Sequence, residues 1–197
     1  MYTFNPHRHV KIWLSANPNV FLNPLNQLRL VRLRAINPRD KITFFYDSHL
    51  LNPEAIRELG VFCTKHHIQA LDVRDAVFPH CRDLLDRRLI QAYQDEVDHL
   101  ETGGNLASAS DKLRLLAPIF LQGTYSDFDV DVQTASLPET IEVGSPILIR
   151  LSSFFPYPGS SDERVSVNNE VFAVVNFRNA LPILQRIKEI ALTLFEK

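Results

Sequence analysis

Long hydrophobic runs are missing from this sequence: no apolar stretch approaches 18 residues, and no charged-then-apolar leader opens the chain. A transmembrane helix and a general secretory signal are thereby excluded, and a soluble protein is expected. An excess of one charge is missing too. Lys and Arg total 21 against 23 Asp and Glu, and a net charge of -2 predicts no nucleic-acid or polyanion partner. Cysteine is scarce: Cys63 and Cys81 fall on separate expected helices without metal-ligand spacing, and read as buried thiols in a reducing compartment. No internal repeat or low-complexity linker marks a domain boundary. With 197 residues, 45% hydrophobic and 22% charged, the chain has the balance of one globular domain with a sizeable core.

What is present is concentrated between Asn105 and Val132. Leu106, Ala109, Leu113, Leu116, Ala117, Phe120 and Leu121 recur at helical spacing, with Asn105 as a plausible N-cap and Gly123 as a stop. Asp111 and Arg114 are neighbours on that helix surface, able to act on one ligand or to pair. Pro118 should kink or shorten the last turn. Beyond it, Tyr125, Asp127, Asp129 and Asp131 alternate with Phe128, Val130 and Val132, which is a strand period. Three carboxylates would share one face within about 14 Å. Like charges so close are costly unless a cation sits among them or the strand has already run out into solvent.

Carboxylates without His or Cys suit a hard divalent ion. An EF-hand is ruled out, because Val132 and Pro138 stand where Gly and Glu are required. A metal held by one or two carboxylates completes its shell with phosphate oxygens and water, as Mg²⁺ does. A bare Asp-x-Asp is common by chance, and a solvated acidic strand end is its ordinary explanation.

Elsewhere, strands are expected at 10–14, 41–46 and 68–73, with helices at 24–35 and 53–66 between them. This alternation is that of a parallel α/β sheet. Leu25, Leu28, Val31 and Leu33 form the inner face of the first helix, and Arg29, Arg32 and Arg34 a wet face packed by its stems. Asp47 lies just beyond a strand end, where such sheets place ligands. Residues 78–101 read as one long helix, 141–143 and 146–151 as short strands, 154–159 as an aromatic loop, and 164–176 as a hairpin or bent strand with Asn168-Asn169 suited to a turn. Residues 179–195 form a closing helix, and residues 1–9, with His7 and His9, a frayed tail.

The segment Asn105-Leu106-Ala107-Ser108-Ala109-Ser110-Asp111, Leu113-Arg114, then Tyr125-Ser126-Asp127-Phe128-Asp129, resembles the Asp-x-Asp region of glycosyltransferases related to the large clostridial glucosylating toxins. Phe45-Tyr46-Asp47-Ser48 and Ile12-Trp13-Leu14 match further family strands, and a fainter likeness runs through Val167-Asn168-Asn169. The resemblance implies a GT-A, Rossmann-like nucleotide-sugar-binding fold, with a mostly parallel sheet flanked by helices. It implies transfer of a sugar, glucose in the toxins, from a UDP donor with Mn²⁺ or Mg²⁺ and retention of configuration. The narrower expectation is a protein acceptor.

By motif, the resemblance gives Asp129 to the metal, with Asp127 and Asp131 as further candidates. It gives Asp127 to ribose and sugar, Asp111 and Arg114 to sugar hydroxyls and phosphate, and Trp13 to uracil; Ser110, Tyr125 and Asn168 complete the donor pocket. It also implies a bacterial toxin or effector, cytoplasmic or delivered into a host cell without a Sec-type signal. Departures are Gln122-Gly123-Thr124 before the Tyr, His49 in place of Asn, and a chain ending at Lys197 without the family's closing loop and second Trp. Three expectations follow from these departures: a fragment, a site completed by a partner, or impaired activity. The alternative function is a non-catalytic module that binds a nucleotide sugar or a protein.

Overall fold

The computed structural model describes the backbone of residues 1–154 and 164–195 and the side chains of residues 1–150 and 169–193. Its strands are β1 (Tyr2–Phe4), β2 (Arg8–Ile12), β3 (Lys41–Tyr46), β4 (Gln69–Asp72), β5 (Thr124–Ser126), β6 (Ile141–Val143), β7 (Ile147–Phe154) and β8 (Arg164–Val174). Its helices are α1 (Pro24–Ile36), α2 (Pro53–Lys65), α3 (Val73–Ala76), α4 (Leu84–Asp98), α5 (Leu106–Leu113), α6 (Ala117–Phe120) and α7 (Phe177–Phe195). A six-stranded sheet runs in the order β4-β3-β2-β5-β8-β7, and β1 pairs with β6 apart from it. The four strands β4, β3, β2 and β5 are parallel, and β8 pairs antiparallel with both β5 and β7. The α/β class with a mostly parallel sheet is therefore the observed one.

β2 is buried from His9 to Ile12, as expected of a strand covered on both faces. Val10, Ile12, Phe45 and Tyr125 point into one core, with Leu89, Tyr93, Leu113 and Leu184 from the later helices. Ile42 and Phe44 point into a second core with Leu30 and Leu33 of α1 and Leu59 of α2. Because strand side chains alternate, Lys11 and Trp13 fall on this second side, and Trp13 packs against that core.

Several boundaries differ from expectation. The first nine residues are no frayed tail: β1 and β2 occupy them, and His9 is buried against Asp40, which also binds His7. The inner face of α1 is Asn26, Leu30 and Leu33, whereas Leu25 and Leu28 are exposed. The long helix over 78–101 is broken. Pro79 sits in a 3₁₀ turn at Phe78–His80, and Asp83 caps α4 through the amides of Leu85 and Asp86. Cys81 lies at the end of that turn and not on a helix; both cysteines are buried and unbridged. The helix over 105–121 is likewise two: α5 ends at Leu113, and Pro118 starts α6, where its missing N–H costs nothing.

The alternating stretch after Tyr125 makes no strand beyond Ser126. Asp127 to Val130 is a turn closed by Val130 N–H to Asp127 O at 3.2 Å, so the three acids do not share a strand face. β8 is the bent strand, and its pairing with β7 jumps between Ile149–Phe172 and Arg150–Asn168. Asn169 to Val171 are the surplus residues of an enlarged bulge, where a turn was expected. The remainder of the aromatic loop, 155–159, lies outside the described residues. No helix among the described residues is long and apolar enough to cross a membrane.

Candidate active site

The four parallel strands end together at Ile12, Tyr46, Asp72 and Ser126, the edge at which open α/β sheets bind ligands. Arg114 is the hub there. Its Nη2 pairs with Asp111 Oδ1 at 2.7 Å and lies 3.8 Å from Asp127 Oδ1, while Nη1 donates to Asn169 O at 2.7 Å. Its Cζ sits 4.2 Å from the Tyr125 ring centroid, and the Tyr125 hydroxyl donates to Asp127 Oδ1. The guanidinium is thus oriented by a carboxylate, a backbone carbonyl and an aromatic face, the combination for which arginine is suited. Its Nε is buried and without a protein partner.

Local sequence explains the placement. Asp111 and Arg114 are an i,i+3 pair at the end of α5, which Asn105 caps through the amides of Ala107 and Ser108. The β8 bulge carries Asn169 to the cluster, where its Nδ2 donates to Asp111 Oδ1 at 3.1 Å, and Glu170 O accepts from Asp127 N–H at 2.9 Å. Burial holds Asp111 above the usual carboxylate range; Arg114 pulls it back and Asp127 adds to the rise. Burial pushes the Tyr125 phenol above its ordinary value; Arg114 pulls it back, donation to Asp127 adds to the rise, and Ser110 beside its hydroxyl opposes it.

Trp13 is half-buried, edge-on to Phe128 with ring centroids 5.7 Å apart, and its Nε1 is buried without a partner. Asp129 is exposed in the turn, whereas Asp131 is drawn off to Arg32 at 2.8 Å. The side chain of Asn168 lies outside the described residues, and its backbone pairs with Arg150 in the sheet. Asp47 is at the right edge, but its carboxylate is committed to Arg74 at 2.9 Å from each oxygen, Tyr93 at 2.6 Å and the His49 amide at 2.8 Å. Among the described residues, no three acids, histidines or cysteines are grouped to hold a metal by themselves. Asp127 and Asp129, two hard carboxylates on one turn, fit an ion whose remaining ligands come from a diphosphate and water.

Two further residues at this edge were not among the expected site residues. Asn169 could be found only through the bulge. Lys11 stood in plain view, a cation inside an apolar strand. It is 3% exposed and donates to Ser126 Oγ at 2.8 Å and Asp127 O at 2.7 Å. Burial pushes its ammonium down to about 8 in spite of Asp127, Asp129 and Asp131 nearby.

A cleft of about 250 Å³ opens beside this cluster, lined by the polar Asp111, Arg114 and Asn169 and by the apolar Leu115, Phe172 and Ile187 among others. Larger clefts of about 590 and 580 Å³ lie by His7 and Asp40, and by Glu96 and Gly103. Neither holds the Asp–Arg–Tyr cluster, so size does not locate the site.

A mostly parallel α/β sheet with acids, an arginine and an aromatic at its carboxyl edge has a candidate ligand site where such sheets place their ligands. The chain belongs to glycosyltransferase family 88, whose family model matches residues 1–196. Among solved structures it is similar to the PaToxG glycosyltransferase, at 18% identity and a TM-score of 0.65 over 98% of this chain; it spans 63% of that one. Two structures named only as a transferase, one a double cysteine mutant, align at 17% identity and a TM-score of 0.62, again over 98% of this chain and over 81% and 80% of theirs. No curated protein sequence matches. These likenesses establish the glycosyltransferase fold.

Proposed function

We propose that this chain transfers a sugar, glucose by its toxin-like motifs, from a UDP donor to an acceptor hydroxyl with retention of configuration, the acceptor being a protein side chain. The observation that carries the proposal is the Arg114 hub at the carboxyl edge of the sheet, where Asp111, Tyr125, Asp127 and Asn169 converge on one buried guanidinium. Family membership and the PaToxG-like fold support the same chemistry.

In this account Trp13 stacks on uracil, and Asp127 takes ribose and sugar hydroxyls. Arg114 faces the donor phosphate, its free Nε and its desolvation making the charge effective as the leaving diphosphate develops negative charge. Asp111, half-exposed and reached by Asn169, holds a sugar hydroxyl and fixes the guanidinium. Asp129, with Asp127, would hold Mn²⁺ or Mg²⁺, which when bound neutralises the diphosphate as a Lewis acid.

A second reading rests on the same contacts. Asp111 and Asp127 already have partners in Arg114 and Tyr125, as in a module that binds a nucleotide sugar without turning it over. A thermal-shift panel of nucleotide sugars, with Mn²⁺ or with chelator, tests donor binding. Stabilisation by UDP-sugars that needs the ion supports the site. Stabilisation by none of them, or equally in chelator, counts against it.

A further inference from the structure

Lys11 has no place in the account above, yet it is buried within β2, one residue before the strand's carboxyl end. A lysine is rarely so enclosed without a carboxylate partner, and an apolar side chain would fill the volume at less desolvation cost. Its two hydrogen bonds go to neutral oxygens on Ser126, the last residue of β5, and Asp127, the first residue after it. They grip the chain where strand gives way to the acid turn.

The same turn is held from a second direction. Phe128 packs edge-on against Trp13 at 5.7 Å and against Phe44 at 6.4 Å, and Lys11 Nζ lies 5.5 Å from the Phe128 centroid. Lys11 therefore touches both the backbone that carries Asp127 and the ring that supports Trp13. Its charge also lies among carboxylates that would otherwise repel one another.

Resting on the donor-site reading, we propose that Lys11 is its positioning residue: a resident cation that fixes the Asp127–Val130 turn before a ligand arrives and so sets donor affinity. The stem alone does not do this; the ammonium does.

Lys11→Met keeps the stem against Phe128 and removes the charge and both hydrogen bonds. Amide hydrogen exchange in the turn should then quicken by about tenfold, as loss of hydrogen bonds from a charged donor implies, while β2 and β3 stay protected. UDP affinity in Mn²⁺ should fall by at least about the same factor, with Lys11→Arg recovering part of the loss. Turn exchange equal to wild type overturns the proposal, and so does faster exchange with unchanged UDP affinity. If Lys11→Met fails to fold, Ser126→Ala decides: it removes one acceptor and should quicken exchange at Asp127 to Val130, and no change there overturns the proposal. A wild type that binds no uridine nucleotide would overturn the donor-site reading instead, while exchange still decides Lys11's hold on the turn.

Discussion

Arg114 lies over the ring of Tyr125, its Cζ 4.2 Å from the ring centroid, and so joins the end of α5 to the end of β5 through one cation. Arg114→Lys keeps the charge but gives up the fork that reaches Asp111 and Asn169 together and much of the stacking. Turnover should fall by about 10²-fold or more, the range for losing one preorganised electrostatic contact. Initial rates of UDP release check this, and near-wild-type rates would contradict the role given to Arg114.

Trp13 is half-buried at the margin of the second core, edge-on to Phe128, and its buried Nε1 has no partner among the described residues. Trp13→Ala should weaken UDP binding by about 1–3 kcal/mol, taking the range for base–aromatic stacking, and Trp13→Phe should retain part of it. A uridine nucleotide should also change the fluorescence of this single Trp. Normal UDP binding by Trp13→Phe, with simple unfolding of Trp13→Ala, would mark it as a core residue.

Asp127 and Asp129 should separate in a stability assay. Asp129 is exposed in the turn, so Asp129→Asn should leave the metal-free protein as stable or slightly more stable, while removing the Mn²⁺-dependent response to UDP. Asp127 accepts the Tyr125 hydroxyl and faces Arg114, so Asp127→Asn should cost about 1 kcal/mol as well as donor binding. Melting curves in chelator, then with Mn²⁺ and UDP-glucose, measure both. A clear loss of metal-free stability in Asp129→Asn, with the ligand response intact, would sink the metal assignment.

The sheet was legible because the stretch 10–14 that overlaps β2, and β3 after Lys41, are mostly apolar and bounded by loops, and because Asn23-Pro24 and Asn52-Pro53 start α1 and α2 with a cap and a first-turn proline. The Asp111–Arg114 pair was legible from helical spacing alone. The acid turn was misread as strand because alternation is a local signal, whereas the extent of β5 is set by its partners: its ladder stops at Tyr125 with β2 and at Ser126 with β8, and the chain then turns at Asp127 to Val130. Asn169 was read as a turn residue, with its neighbour Asn168 given to the site, for the same reason, since a bulge is set by the partner strand. His7 and His9 looked like tail residues because Asp40, which binds both, is more than 30 positions away.

That histidine pair gives a pH prediction. The hydrogen bond to Asp40, then that to Pro138 O, raises His7 above its ordinary 6.5, so its stabilisation is full below that value and lost as pH rises through the raised one. Burial lowers His9 in spite of its own bond to Asp40, so its contribution is present above 6.5 and lost as pH falls through the lowered value. The two oppose each other near neutrality. In His7→Gln, of this pair, only the contribution of His9 remains, and the variant should lose more stability than wild type as pH falls from about 8 to about 5. Urea melts at the two pH values check this, and parallel losses would contradict it.

The most direct test of the central claim is release of UDP from UDP-glucose by the wild-type chain, followed in time with Mn²⁺ and with chelator. The account predicts steady, Mn²⁺-dependent UDP release that Arg114→Lys and Asp129→Asn both abolish or nearly abolish. Saturable UDP-glucose binding without UDP release, or release that survives in chelator and in both variants, would contradict it.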